Sequence, residues 1–201
     1  MRIALFLLLV PFISTLTLAQ TVEPKIITEK NGKVINYRME GSLAATQAVQ
    51  CVSLDSVNNS FTPPDLYVGV NKCLAEGNYF RAAELFSLAG VYSRFDAERV
   101  SDKSATQGRT VLIMNTSASW TPEQKKKIGE TLGHISKSPD TLGKMCNAIQ
   151  KVGMPNYYPS YMILHGMKAF MGNPHDGALL KNFDAPATWA NLMNVYLHCP
   201  T

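Results

Sequence analysis

Apolar positions along most of this chain recur at helical spacing. Leu66, Val70 and Cys73 share one face, as do Ile128, Leu132 and Ile135. Leu142, Met145, Cys146 and Ile149 form another stripe, and Trp189, Leu192, Met193 and Tyr196 a further one. A start signal precedes each. Thr62-Pro63-Pro64-Asp65 puts a hydroxyl at the N-cap, proline at the first helical position and an acid in the first turn. Thr121-Pro122-Glu123-Gln124 does the same, with Gln124 completing a capping box; Ser138-Pro139-Asp140 repeats it, and Asp184-Ala185-Pro186 is a looser version. Gly77 and Gly153 sit where helices should end. Further helices are predicted over 104–114 and 159–170. Asn-Pro and Asp-Gly pairs mark 172–183 as a loop.

The pattern differs before Thr62. Residues 25–39 hold two β-rich runs flanking Asn31-Gly32, a pair that tolerates the positive φ angles of a tight hairpin turn. A lone hairpin is marginal in water, so it must pack on something or stay mobile. Residues 41–60 are polar and small, which reads as a connector with a short strand over 48–54. The predicted fold is mainly α: stacked antiparallel helical hairpins with a small N-terminal β-hairpin. The expected division is a leader over 1–19, hairpin and connector over 20–60, and a helical domain over 61–201.

The leader assignment rests on Arg2, the apolar run from Ile3 to Leu18, and the small residues Thr17 and Ala19 before Gln20. The run is barely long enough to span a bilayer and contains Pro11. Cleavage is therefore expected, leaving an exported chain with no stable membrane insertion, either periplasmic or extracellular.

Nineteen Lys and Arg against fifteen Asp and Glu give a formal charge of +4. That excess is small and scattered, and nucleic-acid binding needs a concentrated basic stripe. Lys125-Lys126-Lys127 reads as a solvated helix face. The four cysteines, Cys51, Cys73, Cys146 and Cys199, form an even set. In an exported chain such a set favours disulfides, with three possible pairings. Cys51–Cys73 with Cys146–Cys199 closes the shorter loops. Buried free thiols remain the other possibility, because three of the four fall on inner stripes. No zinc-type spacing occurs, so neither a metal nor a cofactor is expected.

Residues 77–89 read GNYFRAAELFSLA. Gly77-Asn78-Tyr79, then Ala82, Phe86 and Ala89, resemble the second half of a tetratricopeptide repeat. There, small residues let two helices approach and a large one fills the space between successive hairpins. The preceding helix has Gly69, Val70 and Cys73 in place of the family's large residue, glycine and aromatic, and no second copy follows one repeat length on. The resemblance implies a helical hairpin and, if degenerate copies follow, a groove that binds peptide segments of partners.

Candidate chemistry is sparse. His134 and His198 are expected in the last turns of helices, where a cation-capable ring suits the dipole. His165 lies in a Met- and Leu-rich helix, and His175-Asp176 lies in a loop. No catalytic set is expected; Cys146 with either His165 or His175 would need an exposed thiolate, yet it sits on an apolar stripe. Tyr157, Tyr158 and Tyr161 around Pro159 either form a protein interface, together with His165, or pack the start of the next helix. The leading expectation is an exported helical module that binds another protein, as an envelope adaptor or a periplasmic inhibitor of the immunity type. The alternatives are an envelope hydrolase using His165 or His175, and a structural envelope component.

Overall fold

The Thr62 start signal works through Asp65. In the computed structural model, which describes residues 25–31 and 34–200, Asp65 Oδ2 accepts from the Thr62 N–H (2.8 Å) and hydroxyl (2.6 Å). This opens α1 (Pro63–Ala75). The other oxygen of Asp65 accepts from the N–H groups of Thr46 and Gln47, both at 2.7 Å. One buried carboxylate thus caps the helix and ties down the connector. No strand forms over 48–54: Leu54–Ser56 is a short 3-10 turn. The leader assigned to 1–19 lies outside the described residues.

Gly77, at φ +72°, makes the turn after α1. Asn78 then caps α2 (Tyr79–Arg99) by accepting from the Arg81 N–H at 3.2 Å. Ala82, Ala83 and Ala89 are fully buried on α2 and let neighbouring helices close on it, whereas Phe80 is exposed. α2 is the central rod: α1, α3 (Gly108–Ala118), α4 (Pro122–Lys137) and α7 (Ala185–Val195) all pack on it. α4 forms a second pair with α5 (Pro139–Val152). The fold is mainly helical with a small N-terminal β-hairpin, as the periodicity predicts.

The predicted caps are present. Thr121 Oγ1 accepts from the Gln124 N–H (3.1 Å) while Gln124 Oε1 accepts from the Thr121 N–H (2.9 Å). Ser138 opens α5 and Asp184 opens α7. α7 packs on α2 through Trp189, whose ring lies 5.9 Å from that of Tyr92 and 6.2 Å from that of Phe95. It ends at Val195, so His198 lies beyond it with φ +57°, not in a last helical turn.

Strands β1 (Ile26–Asn31) and β2 (Val34–Met39) pair antiparallel. Asn31 pairs with Val34 and so ends the ladder instead of starting the turn. Ile26, Tyr37 and Ile35 share one face and are about half exposed or more; among the described side chains of the hairpin, only Met39 is buried.

The helix predicted over 159–170 is broken. α6 covers only Ser160–Ile163, and a separate 3-10 turn covers Met167–Phe170. The break falls at Gly166, where a Cβ would collide with the Asp102 carboxylate and Ala105. There the next N–H groups leave the helical ladder: Met167 N–H donates to Ser104 Oγ (2.8 Å) and Lys168 N–H to Asp102 Oδ2 (2.9 Å).

The cysteines pair Cys51–Cys73 and Cys146–Cys199. The first bridge fastens the connector to α1, and the second fastens the chain after α7 to α5. Both fit an oxidising, exported environment. No described helix is long and apolar enough to cross a membrane.

Candidate functional site

Asp96 is the charged centre of the structure. It lies on α2 in line with Leu85, Ala89 and Tyr92, on the buried face, and its side chain has no exposed surface. Oδ2 accepts from the hydroxyls of Tyr157 (2.8 Å) and Tyr161 (2.7 Å). Oδ1 accepts from Arg99, one turn on, at 2.7 Å from Nη2 and 2.9 Å from Nε. Arg99 also donates to the Tyr157 carbonyl at 2.9 Å. Burial pushes the Asp96 carboxyl up, opposed by the Arg99 charge and the phenol hydrogen bonds. Burial and the adjacent carboxylate push both phenols well above their ordinary range. With both oxygens occupied, the cluster has no open position for a reacting atom. It anchors residues 157–161 to α2.

This placement divides the tyrosine trio. Tyr161 is buried (3 % exposed) and Tyr157 half-buried, their hydroxyls turned inward, so Tyr161 is not available as an interface side chain. Tyr158 alone faces outward, 3.3 Å from Nδ1 of His175. His165 stands apart from that pair: its Nδ1 is 3.3 Å from Ser42 Oγ, and burial holds its pKa below the ordinary value. Cys146, weighed as a nucleophile, is bridged to Cys199 and offers no thiolate.

A second anchor lies below the broken helix. Asp102 Oδ1 accepts from the Ser104 N–H (2.9 Å) and hydroxyl (2.6 Å), while Oδ2 holds Lys168. Burial pushes this carboxyl up, but the Ser104 and Lys168 contacts prevail and hold it low. Sequence reasoning missed Asp96, Arg99 and Asp102. The register of Asp96 with Leu85, Ala89 and Tyr92 was the one signal that could have found it.

Above these anchors the segment from Met154 to Phe183 turns apolar side chains outward. Met167, Phe170 and Met171, on one short turn, are 64 %, 38 % and 83 % exposed. Met154, Tyr158 and Leu180 are also exposed. Met154 and Leu180 also line a groove of about 190 Å³, with Phe95, Arg99, Leu179 and Phe183 among its walls. Among the described residues, no group of three or more His, Cys, Asp or Glu is placed to hold a metal ion.

No family model, curated protein or solved structure matches this chain.

Proposed function

We propose that this chain is an exported helical module that binds another protein through the surface formed by residues 154–183. It serves as an envelope adaptor or as a periplasmic inhibitor of the immunity type. The observation that carries this reading is the combination of exposed Met167, Phe170 and Met171 with the buried bonds that fix their backbone. Irregular chain held by Asp96, Arg99 and Asp102 is ordered before a partner arrives, so docking loses little conformational entropy. Methionine adapts its shape to a partner, and such a patch is unusual on a surface with no partner. The hairpin at 77–89 that resembles a tetratricopeptide repeat supports the same class of function.

The test is affinity capture from envelope extract with the native chain beside a Phe170→Ser/Met171→Ser variant. The reading expects one stoichiometric partner that the variant loses while keeping its native circular dichroism. Equal capture by both proteins places the interface elsewhere. Self-association with no captured protein favours a structural component instead.

A second reading rests on Ser42 and His165. Their 3.3 Å separation is long but within what an unliganded Ser–His pair shows, and the lowered pKa keeps the ring neutral at pH 7. A hydrolase using this pair predicts labelling of Ser42 by a fluorophosphonate, abolished in His165→Gln.

A further inference from the structure

The hairpin is the least supported part of the fold. No helix packs closely along either strand, and a sheet of two strands is marginal in water. Such a sheet becomes stable with a further strand and an apolar face. The face is present already: Ile26, Ile35 and Tyr37 lie on it, uncovered among the described residues. What is missing is another strand.

The register shows which backbone groups can hold one. The Glu40 N–H donates to the Lys25 carbonyl at 2.7 Å, which makes Lys25–Glu40 a hydrogen-bonded pair. Bonded and non-bonded pairs alternate along an antiparallel ladder. Ile26–Met39, Thr28–Tyr37 and Lys30–Ile35 are therefore the non-bonded pairs, and their N–H and C=O groups point away from the hairpin. At Met39 the carbonyl is occupied, accepting from the Ser42 N–H at 3.1 Å, and the side chain is buried. The edge of β2 is thus open at Ile35 and Tyr37, and that of β1 at Ile26, Thr28 and Lys30.

Charge separates the two edges. A lysine on an edge strand keeps other strands away, and Lys30 stands at an outward position of β1. β2 carries no charge over 35–37, and its Arg38 is held by Glu29 across the hairpin at 2.7 Å. β2 is also complementary to itself. Outward groups must meet outward groups, so a twofold axis can fall at Asn36, Tyr37 or Arg38. An axis at Arg38 opposes like charges. An axis at Tyr37 runs the second strand onto Met39, at the buried base of the hairpin. An axis at Asn36 sets Ile35 opposite the partner's Tyr37, an aromatic–β-branched pair that symmetry repeats. Asn36 then faces its own copy, and an amide can both donate to and accept from another amide.

We propose that a second copy of this chain pairs antiparallel along β2, about a twofold axis at Asn36, giving a sheet in the order β1-β2-β2-β1. One apolar face then carries Ile26, Ile35 and Tyr37 of both copies, which meets the condition that the lone hairpin fails. The contact uses none of residues 154–183, so dimerisation and partner capture are read separately.

The test is sedimentation equilibrium of the purified chain from about 5 to about 500 µM. A reversible monomer–dimer equilibrium in the micromolar range is expected for so small an interface. Ile35→Lys puts a charge on the open edge and weakens the dimer by about tenfold or more. Tyr37→Pro removes an outward N–H from β2 and Thr28→Pro one from β1, neither of which serves the hairpin's own ladder. The first weakens the dimer similarly; the second leaves it unchanged. Asn36→Cys adds the only free thiol among the described residues, because the four native cysteines are bridged. Facing Cα atoms in a non-bonded antiparallel pair are about 4.5 Å apart, within disulfide reach. Mild oxidation therefore converts this variant to a covalent dimer much faster than Lys30→Cys. That comparison decides the case in which a proline variant loses the hairpin. The proposal is overturned by a chain that stays monomeric at about 500 µM, by unchanged dimerisation in Ile35→Lys, or by equal crosslinking of the two cysteine variants. Oligomers that lengthen steadily with concentration also overturn it, since they mean that β1 joins β2 head to tail.

Discussion

The Tyr161 hydroxyl donates to Asp96 Oδ2 at 2.7 Å, joining residues 65 apart in sequence inside the helical core. Asp96 is satisfied from both sides, by Arg99 on its own helix and by the two phenols from the segment it anchors. Deleting the carboxylate leaves Arg99 without its ion-pair partner at a largely buried position. Asp96→Ala is expected to cost about 3–5 kcal/mol, the range for breaking a buried pair. Tyr161→Phe should cost about 1–3 kcal/mol, because Asp96 loses one donor. Urea unfolding of the two variants checks both values and their order.

Gly166 is the second point at which one atom matters. In Gly166→Ala the new Cβ lies 2.9 Å from Ala105 Cβ and closer still to the Asp102 carboxylate. The expected cost is about 1–3 kcal/mol of overpacking. Amide exchange at Met167 and Lys168 should speed up, and partner capture should weaken without any change to the exposed side chains.

Protonation acts on stability through three groups. Burial depresses the pKa of His165 below its ordinary 6.5, so the unfolded chain takes up that proton first. Its contribution is full above pH 6.5 and is lost as pH falls through the lower, folded value. Asp102, held below its ordinary 3.8, has the same sign in a more acidic window: its contribution is present above that value and lost below it. Asp96, pushed up, has the opposite sign and loses stability as pH rises from 3.8 through its folded value. The measurement is the unfolding midpoint from pH 7.5 to 5 for the native chain and His165→Gln. The variant should show the flatter profile.

The two disulfides should differ in weight. Cys51–Cys73 closes a separation of 22 residues and Cys146–Cys199 one of 53. Chain-entropy arguments give about 3 and about 4 kcal/mol respectively. Double Cys→Ala variants of each pair, compared by urea midpoint, check the ranking.

Local chemistry was legible. Thr62, Thr121, Ser138 and Asp184 start helices wherever a hydroxyl or carboxylate precedes proline near the first turn, because capping depends on three or four adjacent residues. The strand expected over 48–54 failed because the segment meets a helix and not a strand edge: Cys51 is bridged to Cys73 on α1, and the chain turns at Leu54. The helix expected over 159–170 failed for a related reason. Its apolar spacing is adequate, but Asp102 and Ser104, over sixty residues away, take the N–H groups that would have continued it.

The sequence by itself thus determined the rods, their starts and the hairpin, since each depends on neighbours along the chain. The tertiary structure alone decided that Asp96 would meet Tyr157 and Tyr161, and that Gly166 would break a helix. These contacts depend on which helix faces pack together, and no window of local sequence contains both partners. A buried carboxylate acquires its meaning from what folding brings beside it.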